Sequence, residues 1–324
     1  MTQKALRLGT RRSMLAMAQS GQVADAVRQL TGRPVELVEI TTYGDTSREH
    51  LAQIGGTGVF VTALRDALLR GDVDFAVHSL KDLPTAQPDD LVLAAVPVRE
   101  DPRDVLVARD GLTLTELAAS AEGRPVRIGT GSPRRMAQLN AYARSHGLAV
   151  ETVPIRGNID TRIGFAHSGE LDAVVLAAAG LNRIGRIGEV TDFLPVDTML
   201  PAPGQGALAI ECTAADAALA AALAELDDPY TRVAVTAERS LLAALEAGCS
   251  APVGAYADLL ADGQVVHEMR LRGVVGTTDG STLVQLSITG PVPASHDEAV
   301  ALGRELAVEM LAKGAAGLMG ERAL

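Results

Sequence analysis

The stretch VDFAVHSLKDLP, residues 73–84, ends an apolar run on His78, Ser79, Lys81 and Asp82. A carboxylate there can stabilise developing positive charge or move a proton. It can equally cap the loop before Pro84 and pair with Lys81, worth about 1 kcal/mol or less at an exposed site. Residue type leaves both open, and His78 reads as a satisfied strand-end histidine. Arginine gathers at three predicted strand-to-helix junctions: Arg11 and Arg12 ahead of Ser13, Arg134 and Arg135 in GTGSPRR, and Arg156 and Arg162 in RGNIDTR. In the second, Gly131 allows a tight turn, Ser132 reads as an N-cap and Pro133 as the first helical residue. Such a helix end attracts anions, whereas arginine normally avoids it. A doubled arginine there is either a ligand site or a solvated surface pair.

An acidic chain with three such junctions is expected to bind something carrying several carboxylates or phosphates. Residues 54–58, IGGTG, lack both the P-loop lysine and GxGxxG spacing, so carboxylates are preferred to a nucleotide. Among so many cations Asp82 is expected to be ionised and held in place. Cys249, in LEAGCSAPVG, follows a predicted helix and falls in a loop, while Cys212 falls in an apolar strand and reads as core. A reactive thiol needs an electropositive neighbourhood or a base, and the sequence around Cys249 offers neither. Without CxxC spacing no metal site is expected, and both cysteines are read as thiols in a reducing compartment.

These residues need a scaffold that brings strand ends together. Short apolar runs alternate with helical-period stretches over the first 225 residues, as in α/β units with largely parallel strands. Open parallel sheets place ligands beyond the carboxyl ends of their strands. Strands are predicted in ALRLG, VELVEI, FAV, LVLAAV, VRIG, AVETVPI, AVVLA and GALAIEC, and further on in LRGVVG and LVQLSITG. Helices are predicted over 14–30, 60–70, 133–144, 159–168, 230–247 and 296–313. RLGT at 7–10 is echoed by RIGT at 127–130, and GDVDFAV at 71–77 by GELDAVV at 169–175. Two echoes in the same order predict two similarly built halves. REDPRD at 99–104 reads as a polar linker and LPAPGQG at 200–206 as the return crossing. The expected division is domain 1 over 1–99 and 201–225, domain 2 over 105–198, and a smaller α+β domain 3 over 229–324.

The 324 residues are 47% hydrophobic but 2% aromatic with no Trp, so the cores must be aliphatic. The net charge of −11 argues against nucleic acid. Lysine occurs only at Lys4, Lys81 and Lys313, against 26 arginines, which makes Lys81 stand out. MTQKALRLGT lacks the apolar core of a secretory signal and no apolar run spans a membrane, so a cytoplasmic protein is expected.

Taken together, RLGTRRSMLA, GTGVF, AVHSLKDLP, REDPRD, GTGSPRR, RGNIDTR, LAAAGLNR, LPAPGQGAL, TAERS and EAGCSAPVG resemble the porphobilinogen deaminase (hydroxymethylbilane synthase) family over nearly the whole chain. The resemblance implies two periplasmic-binding-protein-like α/β domains joined by a two-stranded hinge, plus a smaller α+β C-terminal domain. It implies a dipyrromethane cofactor, one per chain, joined by a thioether to Cys249, and no metal. Four porphobilinogen units would be added to this primer and the tetrapyrrole released by hydrolysis. Asp82 matches the catalytic aspartate, which would stabilise positive charge on pyrrole nitrogen and help protonate the departing amine. Ser79 and Lys81 would contact acid groups. The acetate and propionate of each pyrrole would meet Arg11, Arg134, Arg135, Arg156, Arg162 and Arg183. Ser13, Thr130, Ser132, Gly157 and Gln205 match positions lining the site, and Phe60 an aromatic that stacks on pyrrole. The resemblance also implies a monomer. One departure is QIGGTG, where Gln53 and Thr57 replace lysines common in the family, removing two carboxylate partners. The repeated halves alone fit a noncatalytic clamshell binding protein equally well; the third domain and Cys249 weigh against that.

Overall fold

The computed structural model describes residues 4–41, 58–121, 123–247, 251–262 and 265–319, with only the backbone of residues 58–60. In chain order come β1 (Leu6–Thr10), α1 (Met14–Thr31), β2 (Val35–Glu39), α2 (Gly58–Leu69), β3 (Phe75–Ser79) with a 3-10 turn (Leu80–Asp82), and β4 (Leu91–Ala95). Next are β5 (Asp104–Ala108), α3 (Leu114–Ser120), β6 (Val126–Gly129), α4 (Pro133–Ser145), β7 (Val150–Val153), α5 (Ile159–His167), β8 (Ala173–Ala177), α6 (Ala178–Arg183) and β9 (Asp192–Phe193). The chain continues with β10 (Leu208–Thr213), α7 (Ala217–Ala224), α8 (Pro229–Ala244), β11 (Val253–Asp262), β12 (Val265–Gly276), β13 (Leu283–Pro291) and α9 (His296–Ala312). Two compact units result: residues 1–100 with 206–232, and 101–205 with 233–324.

The first unit holds a five-stranded sheet ordered β2-β1-β3-β10-β4. β1 is parallel to β2 and β3, whereas β10 runs antiparallel to β3 and β4. One face buries Leu6, Leu8, Phe75, Val77 and Ile210 against Val23, Ala24 and Val27 of α1 and Leu219 and Leu223 of α7. The other sets Ala76 against Leu64, Ala67 and Leu68 of α2. Fully burying each large aliphatic contributes about 1.5–3 kcal/mol.

The second unit contains a sheet ordered β7-β6-β8-β5-β9, with β5 antiparallel to β8 and β9. Position for position this is the order of the first sheet, and the sequence echoes fall on it: RLGT ends β1 and RIGT runs through β6 to Thr130. The acid before each following strand bonds the preceding strand alike. Asp74 N donates to Arg7 O and its carboxylate accepts Arg7 N, at 2.8 and 2.7 Å; Asp172 does the same with Arg127, at 2.9 and 2.9 Å.

An antiparallel sheet, β11-β12-β13, also belongs to this second unit. Its inner face buries Met269 and Leu271 against Leu241 of α8 and Leu306 and Met310 of α9. Asn140 and Arg144 of α4 donate to the carbonyls of Thr278 and Asp279, tying this sheet's β12–β13 turn to the five-stranded one. The architecture is therefore two α/β sheets of matching strand order, followed by a smaller antiparallel sheet packed with helices.

Every strand read from the first 225 residues is present, but β5, β9, β11, α3, α6 and α7 escaped the sequence reading. One correction matters. REDPRD is not linker to its end: Asp104 is fully buried and opens β5. Its charge, standing before VLVA, disguised the strand.

Candidate active site

The carboxyl edge of the first sheet gathers two of the predicted stretches. Ser13 caps α1, its hydroxyl accepting from Ala16 N at 3.3 Å, which sets the arginines at 11 and 12 between β1 and the helix. Such a cap stabilises by about 1 kcal/mol. Beside it, β3 delivers Ser79, whose hydroxyl accepts from Gln19 Nε2 of α1 at 2.9 Å. Lys81 and Asp82 follow in the 3-10 turn, anchored by Leu80 and Leu83, which are 0% and 1% exposed, so both charged residues stay half-buried at the rim. The aliphatic anchors fix a turn that polar residues alone would leave to solvent.

His78 points to the opposite face from Phe75 and Val77. Its Nε2 lies 3.1 Å from Oε2 of Glu211, a fully buried residue of β10. Arg65 of α2 grips the same carboxylate through Nε and Nη2 at 3.1 and 2.7 Å, and Gln87 adds a bond at 3.2 Å. Burial by itself would raise the Glu211 carboxyl; the contacts with His78 and Arg65 overcome it and hold the carboxyl at about 2. His78 thus faces a buried acid at ion-pair distance, although its Nε2 forms no well-aligned hydrogen bond.

The carboxyl edge of the second sheet gathers the other two stretches. Ser132 caps α4, accepting from Arg135 N at 3.4 Å, with Pro133 in the first helical position. Thr130, 1% exposed, donates its backbone N–H to Val153 O and accepts from Ile155 N, laying the end of β6 against the loop after β7. Gly131 makes that approach possible: a Cβ there would stand 2.7 Å from Ile155 O. The RGNIDTR loop starts at this point, with Arg156 exposed and Asn158 capping α5. Gly157 has φ +110°, and a Cβ on it would meet Thr161 at 2.7 Å, so the turn requires glycine. Arg162 Nε donates to Gly157 O at 2.9 Å, folding its side chain back over the loop.

Arg134 and Arg135 are 4% and 5% exposed. Both engage Asp104: Arg134 Nη1 reaches Oδ2 at 2.7 Å, while Arg135 Nε and Nη2 reach Oδ1 at 3.1 and 2.7 Å. Arg134 also donates to Leu200 O and Arg135 to Val175 O, at 2.6 and 2.9 Å. Gln205 joins through Nε2 to Asp104 Oδ1 at 2.9 Å and to Pro102 O at 2.8 Å. Burial by itself would raise the Asp104 carboxyl; the charges and hydrogen bonds of both arginines hold it well below the usual carboxylate range. The arrangement explains how two arginines tolerate a helix N-terminus: a buried carboxylate offsets the dipole. It leaves one positive charge in excess, a cradle suited to an anion.

Sequence reading missed Gln19, Glu211 and above all Asp104, whose only signal was an acid opening an apolar run. Arg183 closes α6, which begins directly at the end of β8. Cys249, Gln53 and Thr57 lie outside the described residues, as does the Phe60 side chain. Cys212 is buried, and burial, with Asp216 and Glu211 nearby, pushes its thiol up to about 11, so it is no nucleophile. Among the described residues no group of three or more His, Cys, Asp or Glu is placed to hold a metal ion, and no helix is long and apolar enough to cross a membrane.

Residues 6–221 match the family model described as porphobilinogen deaminase, dipyromethane cofactor binding domain, and residues 232–312 match porphobilinogen deaminase, C-terminal domain. The chain is 86% identical to "Porphobilinogen deaminase 1" of Streptomyces avermitilis, over 99% of both chains. It is 82% identical to the protein of that name in Streptomyces coelicolor over 100% of both, and 55% identical to porphobilinogen deaminase of Thermobifida fusca over 98% of this chain and 96% of that one. Among solved structures, immunogenic lipoprotein A from Vibrio vulnificus is similar at a TM-score of 0.40 and 12% identity, over 68% of this chain and 94% of that one, too distant to carry an argument. With both family models matched in order along one chain, and such identity from end to end, this protein belongs to the porphobilinogen deaminase family.

Proposed function

We propose that the chain is a transferase that condenses four porphobilinogen molecules head to tail with loss of ammonia, on a covalent dipyrromethane primer, and then releases hydroxymethylbilane by hydrolysis. The observation that carries the reading is chemical division between two alike sheets: one ends in the half-buried turn with Lys81 and Asp82, the other in a buried surplus of guanidinium. Held on Cys249, a dipyrromethane would supply the pyrrole to which the first substrate unit is joined. The donor set fits such a group, since its acid side arms need guanidiniums and Arg134 and Arg135 carry one charge more than Asp104 cancels.

Asp82 accepts the N–H of a substrate pyrrole, stabilises positive charge as it develops on that nitrogen, and helps deliver a proton to the departing amine. Ser79 and Lys81 hold acid groups beside it. Arg11, Arg134, Arg135, Arg156, Arg162 and Arg183 hold acetate and propionate arms, while Ser13, Thr130, Ser132, Gly157 and Gln205 shape the site and Phe60 stacks on pyrrole. The division into domains over 1–99 with 201–225, 105–198 and 229–324 belongs to the same reading. So do action as a cytoplasmic monomer and the absence of nucleic-acid and membrane partners.

Intact-mass measurement with peptide mapping tests the proposal. A mass excess of two pyrrole units on the Cys249 peptide, lost in Cys249→Ser together with turnover, is the expected result. An unmodified Cys249 in protein that consumes porphobilinogen would refute it.

A further inference from the structure

We propose that Asp104 is a positioning residue for the reaction: it sets the two guanidiniums of Arg134 and Arg135 side by side for an acid group of the ligand. The inference rests on the function proposed above and assigns a role to a residue outside that set.

Consecutive residues on a helix point about 100° apart, so Arg134 and Arg135 have no intrinsic reason to converge. Asp104 supplies one. Its carboxylate takes Arg134 on Oδ2 and Arg135 on Oδ1, with Gln205 also on Oδ1. Leu200 O and Val175 O fix the outer edges of the two guanidiniums. These bonds, with the long 3.5 Å contact from Arg134 Nη2 to Gln205, use three of the five N–H groups on each arginine. Two on each remain for a bound carboxylate, and the excess positive charge gives that carboxylate an electrostatic reason to stay. Burial pulls the Arg134 guanidinium below its usual range, Asp104 opposes this, and the neighbouring charge of Arg135 adds to the pull. Without the aspartate two like charges would share one buried pocket, and at least one arm would swing away. Asp104 and Gln205 also stand close to two of the three points where the chain passes between the units, 100–101 and 205–206. The carboxylate therefore ties the anion-binding arms to the framework rather than to loops.

The test compares Asp104→Asn and Asp104→Glu with the wild-type enzyme, each scored for thermal midpoint, Cys249 adduct by intact mass, and the separate values of KM and kcat for porphobilinogen. Asp104→Asn keeps the size but removes the charge. The expected result, per folded and adduct-bearing molecule, is a KM at least tenfold higher, with Asp104→Glu intermediate. A purely structural aspartate would lower the midpoint and the yield but leave KM of the folded fraction unchanged, and that outcome overturns the proposal. If Asp104→Asn does not fold, Asp104→Glu decides alone: a KM raised threefold or more supports the role, and a wild-type KM removes it. A wild-type protein with neither adduct nor turnover would refute the function itself, and this inference with it. An active, adduct-bearing wild type beside an unaltered Asp104→Asn would refute only the inference.

Discussion

The two five-stranded sheets share an order and an antiparallel fourth strand, yet they place their charges differently. After β3 the chain reads Ser79, Leu80, Lys81, Asp82, Leu83; after β8, in the matching place, it reads Ala177, Ala178, Ala179, Gly180, Leu181. The buried anchors coincide, since Leu80 and Ala178, and Leu83 and Leu181, are all 1% exposed or less. The two positions between the anchors carry the difference in charge: Lys81 and Asp82 in one sheet, Ala179 and Gly180 in the other. The antiparallel strands differ too. Each carries a buried acid held by arginine, but Asp104 pairs with the last residue of β8, at the edge where loops converge, whereas Glu211 pairs with Ala76, deep in β3. One winding thus yields a carboxylate rim backed by a deep neutralised acid, and a guanidinium rim organised by an acid at its edge. Depth along the strand separates an acid buried within the sheet from one placed at its carboxyl edge.

The contrast predicts a ranked set of effects. Asp82→Ala, at the rim, is expected to cut kcat by about a hundredfold to ten-thousandfold, while stability stays within about 1 kcal/mol because the residue carries no core packing; steady-state kinetics beside denaturant unfolding checks both. Equal loss of stability and turnover would erase the distinction between rim and core. Glu211→Gln should do the reverse, costing about 3–5 kcal/mol by leaving Arg65 and His78 facing an uncharged partner, read from the urea midpoint.

The same acid gives a pH test. Its carboxyl lies below the ordinary 4.5, so it contributes stability that is fully present above that value and lost as pH falls toward about 2. The gap between wild type and Glu211→Gln should shrink across that window, and a constant gap would deny the ionised pair.

The opposite edges of the sheets provide the smallest effects. Asp172, nearly buried, accepts from Arg109 and Arg124 as well as Arg127 N, whereas Asp74 accepts from Arg7, with the charge of Lys4 nearby, and is more exposed. Asp172→Ala should cost about 1.5–3 kcal/mol and Asp74→Ala about 1 kcal/mol, both by equilibrium unfolding and both without change in KM. If the two cost the same, the likeness between the sheets extends further than the side chains show.

The two echoes, RLGT with RIGT and GDVDFAV with GELDAVV, were legible because strand ends and their helix caps are local: Gly131, Ser132 and Pro133 announce a turn, a cap and a first helical residue within three positions. The rim residues Ser79, Lys81, Asp82, Arg134 and Arg135 were legible for the same reason. What escaped was anything defined by a distant partner. α7, nearly all alanine, has no apolar period to read. β5 looked like linker because Asp104 is charged, and its meaning lies 30 residues away in Arg134 and Arg135. Glu211 likewise sits in an apolar strand with partners at Arg65 and His78.

By itself the sequence determined the α/β alternation, the capped helix starts, the family and the set of rim residues, because hydrophobic period and capping act between near neighbours. Only the tertiary structure decided that the arginines at 134 and 135 share one buried carboxylate and that His78 belongs to Glu211. A charge can be kept out of water only where another segment of the chain brings its counter-charge, and chain proximity gives no sign of which segment that will be.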